Sequence, residues 1–350
     1  MLTHKFLHFV LFLIVGGFAS CSASPAARAA QEATDYASHF NRGQELMREM
    51  RFHEATAEFR ESARLNSEYL PAQQALAVAY LITQNPPLAW RQVELLRKYK
   101  VNLPLDFLSL LSKSLSEPEA VRQEEENEKN LAVAQKAASE HSDNPALLAA
   151  LATALNKAGD YPSAQRAANQ ALQLDPNQPE AHFLLGNILG AEPPTSEQAI
   201  PHLKMYLQNV ARTPENSKDL ASAYKMLANV YGRTGQEAKS LATNEESLKF
   251  FPDDDVMLNN AAWTYATAQD IFIRDPQKAL DYARKAAAIS KGEKAFILDT
   301  LAEALYANRL FDEAVTTEKK ALSMEPQSKL YPDQLKKFQA AQREAQQSKP

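Results

Sequence analysis

A chain of 350 residues is long enough to bury a large core, and 9 glycines with 8% aromatic residues in an alanine-rich background suit helix and suit sheet poorly. The charged fraction of 23% is that of an ordinary folded protein, and a net charge of −5 leaves no basic footprint for nucleic acid. A single cysteine, Cys21, excludes an internal disulfide and a thiolate metal cage.

The first element is an address. Lys5, with His4 and His8, makes a weakly positive opening; an apolar run from Phe6 to Phe18 follows, then Ala19-Ser20-Cys21. The run is shorter than the roughly 20 residues that span a bilayer. Small residues directly before a cysteine resemble a bacterial lipoprotein signal, although Phe18 stands where that family usually has Leu, Val or Ile. The resemblance implies removal of residues 1–20, a lipid on Cys21 and a membrane-anchored protein facing the periplasm. Ser22, rather than Asp, after the cysteine favours the outer membrane. Residues 21–34 are small and polar, as a flexible tether is. Cleavage at an ordinary site nearby would instead give a soluble periplasmic or secreted protein, and an uncleaved segment would be a short anchor.

From Asp35 onward one pattern recurs: an amphipathic helix with a small residue, a turn, and a second helix opening on a small residue. The first-helix positions are Gly43, Ala77, Ala152, Gly186, Ala228, Ala262 and Ala302; their partners are Ala55, Ala89, Ala164, Ala199, Ser240, Ala279 and Ala314. Five of the seven pairs are twelve residues apart, and three intervals between units are 34 residues. Small side chains let antiparallel helices approach closely, and Pro176, Pro252 and Pro326 stop the second helix. The segments 145–176 and 295–326 carry the pattern most clearly, and they resemble the tetratricopeptide repeat. The resemblance implies an all-α fold, a right-handed superhelical solenoid of stacked helix–turn–helix repeats, in which no unit buries its apolar face alone.

Seven repeats are expected, at 36–69, 70–103, 145–178, 179–214, 221–254, 255–294 and 295–328. Two are lengthened between their helices, around Glu192-Pro193-Pro194 and from Thr267 to Pro276. The chain thus divides into an N-terminal repeat pair (35–103), a degenerate repeat or hinge (104–144), a C-terminal array (145–328), and a capping helix and tail (329–350), with the helix over Tyr331–Gln347.

Motifs for chemistry are missing. The stretch 186–190 (GNILG) lacks the lysine and the length of a phosphate loop. His182 and His202 sit where they could face each other across one repeat, without a third ligand. Asp253-Asp254-Asp255 precede a helix and read as capping carboxylates, and Glu124-Glu125-Glu126 as a solvated helix face. The expectation is a protein that is not an enzyme, with no cofactor and no metal.

In the tetratricopeptide family the first helices line the groove where peptides or partner segments dock. The resemblance therefore puts Lys225, Asn229, Arg233, Asn259, Asn260, Trp263, Phe296, Asp299, Glu303 and Tyr306 in a partner-binding groove, with Trp263 either a binding hot spot or packed against the insertion that follows it. Lys225, Asn229 and Asn260 also match part of the family's carboxylate grip, but Phe296 and Thr300 stand where its two cations belong. The function expected is a protein–protein interaction scaffold of the bacterial cell envelope, of the kind that assembles secretion, pilus or outer-membrane complexes. The alternative is a soluble exported protein binding a glycan or peptide in the same groove.

Overall fold

The computed structural model describes residues 27–347, with side chains from Asp35 onward. The expected signal at 1–20 and Cys21 lie outside the described residues. Seventeen α-helices run through the described residues: α1 (Ala27–Arg48), α2 (Phe52–Leu65), α3 (Leu70–Ile82), α4 (Pro86–Lys98), α5 (Leu105–Ser114), α6 (Glu117–Glu140), α7 (Pro145–Lys157), α8 (Tyr161–Leu174), α9 (Pro179–Ala191), α10 (Ser196–Asn209), α11 (Ser217–Arg233), α12 (Glu237–Phe250), α13 (Asp255–Thr267), α14 (Pro276–Ile289), α15 (Ala295–Ala307), α16 (Phe311–Met324) and α17 (Tyr331–Gln347). No strand occurs among them, and none is long and apolar enough to cross a membrane. Because α1 begins at Ala27, the last part of the expected tether is helical.

Within each compact unit the repeat helices pack as successive antiparallel pairs, each pair stacking on the next. All fourteen small residues of the repeat pattern are buried. A Cβ on Gly43 would lie 2.5 Å from the Phe59 ring, and Ser240 donates its hydroxyl to the Ala228 carbonyl at 2.8 Å, spanning one twelve-residue pair. Five repeats turn between their helices in the same way. A residue seven after the small one takes a positive φ (Met50, Gln84, Gly159, Gly235, Arg309). The next N–H then closes back on the carbonyl five residues earlier, as in Arg51 to Leu46 and Leu310 to Leu305. The two lengthened repeats lack this turn.

The described residues divide into two compact units, up to residue 211 and from residue 212, so the boundary falls inside the array expected over 145–328. In the first unit the segment 104–144 forms the short α5, which buries Phe107 and Leu111, and the long α6, which packs against α4 and α7. Alongside this bridge the first repeats touch the third directly, α2 against α8. Arg60 donates to the Gly159 carbonyl at 2.6 Å, Asn85 to that of Lys157 at 2.8 Å, and Tyr161 to the Thr83 hydroxyl at 2.7 Å. His53, buried edge-on against the Tyr161 ring, gives its backbone N–H to Glu192 at 2.7 Å and meets the same carboxylate through Nδ1 at 2.8 Å. The second unit stacks α11–α16 as three helix pairs and closes on α17.

Candidate functional site

Counted from the buried small residue of each first helix in the second unit, two positions recur. Three residues before it stand Lys225, Asn259 and Asp299, and one residue after it Asn229, Trp263 and Glu303. The structure treats these rungs very differently along the stack.

On α11, Lys225 is bound to Asp254 at 2.6 Å. Asp254 also caps α13, accepting from the N–H groups of Val256 and Met257, so the expected capping role and a lysine anchor fall on one side chain. The neighbouring carboxylates are held too, Asp253 by Lys285 at 3.1 Å and Asp255 by Lys294 at 2.6 Å. A grip on a peptide carboxylate through Lys225 would therefore have to break this pair. Arg233 lies exposed at the end of α11.

Asn229, Asn260 and Trp263 are half-buried and Phe296 is 42% exposed. The side-chain amides of both asparagines and the Trp263 indole have no hydrogen-bond partner among the described residues, so these four side chains, with Arg233, keep part of the expected groove open. Asn259, Asp299 and Glu303, by contrast, are buried, which corrects their placement in an accessible groove. Asn259 sits where α13 packs against its neighbours. Tyr306 is half-covered, its ring against Phe311 and Phe338 with the Lys337 ammonium 4.5 Å from the centroid.

What meets Glu303 is α17. Lys337 bonds both Glu303 oxygens, at 2.6 and 2.7 Å, and Gln334 donates to one of them at 3.2 Å. A third carboxyl joins from α16: Glu318 is fully buried, within hydrogen-bond reach of Asp299. Both Glu318 oxygens and Oδ1 of Asp299 lack a donor from any other side chain or backbone group. Burial, then the Glu303 carboxylate, pushes Asp299 up to about 7, and burial, then Asp299, pushes Glu318 up to about 8. Both acids therefore hold their protons well above the usual carboxylate range. Tyr331 of α17 and Glu325 at the end of α16 complete the charged surroundings, and the Tyr331 hydroxyl is raised by burial and by these carboxylates.

Sequence inspection missed Glu318, Lys337 and Gln334. Glu318 was legible: it falls in the stripe Ala314, Val315, Ala321 that α16 buries, at helical spacing. Also missed were an open groove of about 540 Å³ in the first unit, over Leu76, Tyr80 and Leu88 with Arg60, Gln92 and Lys98 beside them, and Phe272, 93% exposed on the insertion after α13.

The expected meeting of His182 and His202 is present, Nδ1 to Nδ1 at 2.9 Å. His182 Nε2 lies 2.9 Å from the Pro176 carbonyl, so that nitrogen carries the proton and Nδ1 accepts from His202. Burial, then His182, holds His202 below the usual imidazole range. Among the described residues no group of three or more His, Cys, Asp or Glu is placed to hold a metal.

The fold is all-α, built of helix–turn–helix repeats stacked within each of two compact units. The family model of the tetratricopeptide repeat matches residues 145–188. Among solved structures the chain is similar to YrrB, titled a tetratricopeptide protein with an unusual peptide-binding site (15% identity, 57% of this chain and 96% of that one, TM-score 0.49). It is also similar to a tetratricopeptide repeat protein from Parabacteroides merdae (14%, 87% and 99%, TM-score 0.34). A third is the C-terminal part of a repeat-containing protein from Cytophaga hutchinsonii (17%, 84% and 98%, TM-score 0.39). A sequence search of curated proteins finds no match.

Proposed function

We propose that this chain is a non-catalytic interaction scaffold of the bacterial cell envelope, tethered to the outer membrane through a lipid on Cys21, which docks an extended segment of another protein during assembly of an envelope complex. The observation that carries the docking site is the set of four open side chains on successive first helices: Asn229 on α11, Asn260 and Trp263 on α13, and Phe296 on α15. Free side-chain amides pair with a peptide backbone, and a tryptophan beside an exposed phenylalanine gives apolar anchorage of the kind that dominates binding energy. The tether rests on the residues before Cys21 alone.

The test has two arms. Expressed with its own leader, the wild type should gain the mass of acyl chains and partition into detergent, and Cys21→Ser should do neither. A photoreactive residue in place of Phe296 should capture an envelope protein in cells, and Trp263→Ala should abolish that capture while leaving the helical content intact. An unacylated wild type removes the tether. Capture unaffected by Trp263→Ala removes the docking site.

A further inference from the structure

We infer that the face formed by Asp299, Glu303 and Glu318 is a docking surface for an amphipathic helix carrying two cations, and that α17 is its resident, half-matched occupant. This goes beyond the proposed peptide site, since it uses different residues and would stand if that site failed.

Three observations carry it. The first is charge: three buried carboxyls, Asp299, Glu303 and Glu318, lie at the end of the unit, to which α17 brings one cation, Lys337, and one amide, Gln334. Lys337 and Gln334 both go to Glu303, which leaves the Asp299–Glu318 pair with no cation and three oxygens with no donor from another group. A buried carboxyl pair without a counterion is an expensive arrangement, and an interior built only for stability would bury amides or apolar groups there. The second is attachment. Of the seventeen residues of α17 only Tyr331 and Phe338 are buried, whereas α15, with thirteen, buries nine. A helix held by so few side chains opens before the repeats beneath it do. The third is the chemistry of the contact itself. Lys337 lies over the Tyr306 ring and on Glu303 at once, so the face already accepts a lysine presented by a helix. A partner helix that kept this lysine and added a second cation one turn earlier, at the place of Gln334, would replace the amide on Glu303 and extend toward Asp299.

The probe is a dye-labelled synthetic peptide with the sequence of residues 329–347, beside its Gln334→Arg version, titrated by fluorescence anisotropy into the full chain carrying Phe338→Ala. That substitution removes the one fully buried anchor of the resident helix and leaves the acidic face intact. Both peptides should bind, the Gln334→Arg peptide at least ten-fold more tightly, and the ten-fold gain should vanish when Asp299→Asn and Glu318→Gln are added. No binding, equal binding, or a gain that survives loss of the two acids overturns the proposal. Should Phe338→Ala fail to fold, Gln334→Arg in the otherwise native chain decides. It should raise hydrogen-exchange protection of α17 several-fold, again only while both acids are present, and unchanged or lower protection overturns the proposal equally.

Discussion

Replacing Glu318 by glutamine should stabilise the end of the second unit at alkaline pH and leave it unchanged in acid. The carboxyl is fully buried, and its displacement from 4.5 to about 8 converts, at about 1.4 kcal/mol per unit, into at most about 5 kcal/mol of cost in its charged form. Glutamine keeps the shape and offers Asp299 an N–H, but its amide is desolvated too. Roughly half of that ceiling, about 2 kcal/mol, is the expected gain above pH 8. The sign follows from proton counts. Between about pH 4 and 8 the folded protein holds protons on Asp299 and Glu318 that the unfolded chain has released, so stability falls as pH rises through that window. Below it both states are protonated and the difference disappears.

Hydrogen exchange over residues 295–347, corrected for the intrinsic pH dependence of exchange, reads this directly. The wild type should lose protection between about pH 5 and pH 8.5, and Glu318→Gln should restore about 30-fold at the higher pH, the equivalent of 2 kcal/mol. Wild-type protection that is flat across the window, or a glutamine variant less protected at both pH values, would refute the raised titration of this buried pair.

Other consequences are local. Gly186→Ala places a Cβ 2.7 Å from Leu203 Cδ2 and 3.4 Å from its backbone nitrogen, and Leu203 is fully buried. A loss of about 1–3 kcal/mol is expected in urea unfolding followed by Trp90 fluorescence in a Trp263→Phe background. Glu192→Ala strips the His53 backbone N–H and ring of their buried acceptor and should cost about 1–3 kcal/mol in the same assay, with Glu192→Gln milder. Asp254→Ala removes a helix cap and the Lys225 pair and should lower thermal stability by about 1 kcal/mol; Asp254→Asn, which keeps the cap, should recover most of it. Arg309→Gly relieves a φ of 61° at an exposed turn, and a gain of about 1 kcal/mol is expected in thermal melts.

The repeats were legible because their cause is local and periodic. A small residue at each helix crossing is visible as a letter, and Ala77, Ala152 and Ala302 are buried as that spacing requires. The turn was half legible: Gly159 and Gly235 announce a positive φ, but Met50, Gln84 and Arg309 adopt the same conformation because the stacked helices on either side impose it. Contacts between non-neighbouring segments were not legible at all. Nothing in the spelling of α2 or of the Glu192-Pro193-Pro194 insertion tells that His53 will meet Glu192 across 139 residues. The site divides on the same principle. Placement on first helices follows from the period, whereas accessibility depends on what the next helix brings, so Trp263 stays half-open while Glu303, one position beyond its own small residue as well, is closed over.

That difference explains why the two ends of the rung ladder have different chemistry. Within the second unit α13 packs against α15, and a polar rung such as Lys225 on α11 finds its partner in the following cap, Asp254. At α15 no further repeat follows within the stack, and the rung residues are carboxyls, to which α17 brings a single lysine. A cap selected for stability alone would match that surface with two cations or present an apolar face to an apolar one. That mismatch leaves two buried carboxyls without a cation under the least anchored helix of the unit, which is where a competing helix would gain most by binding.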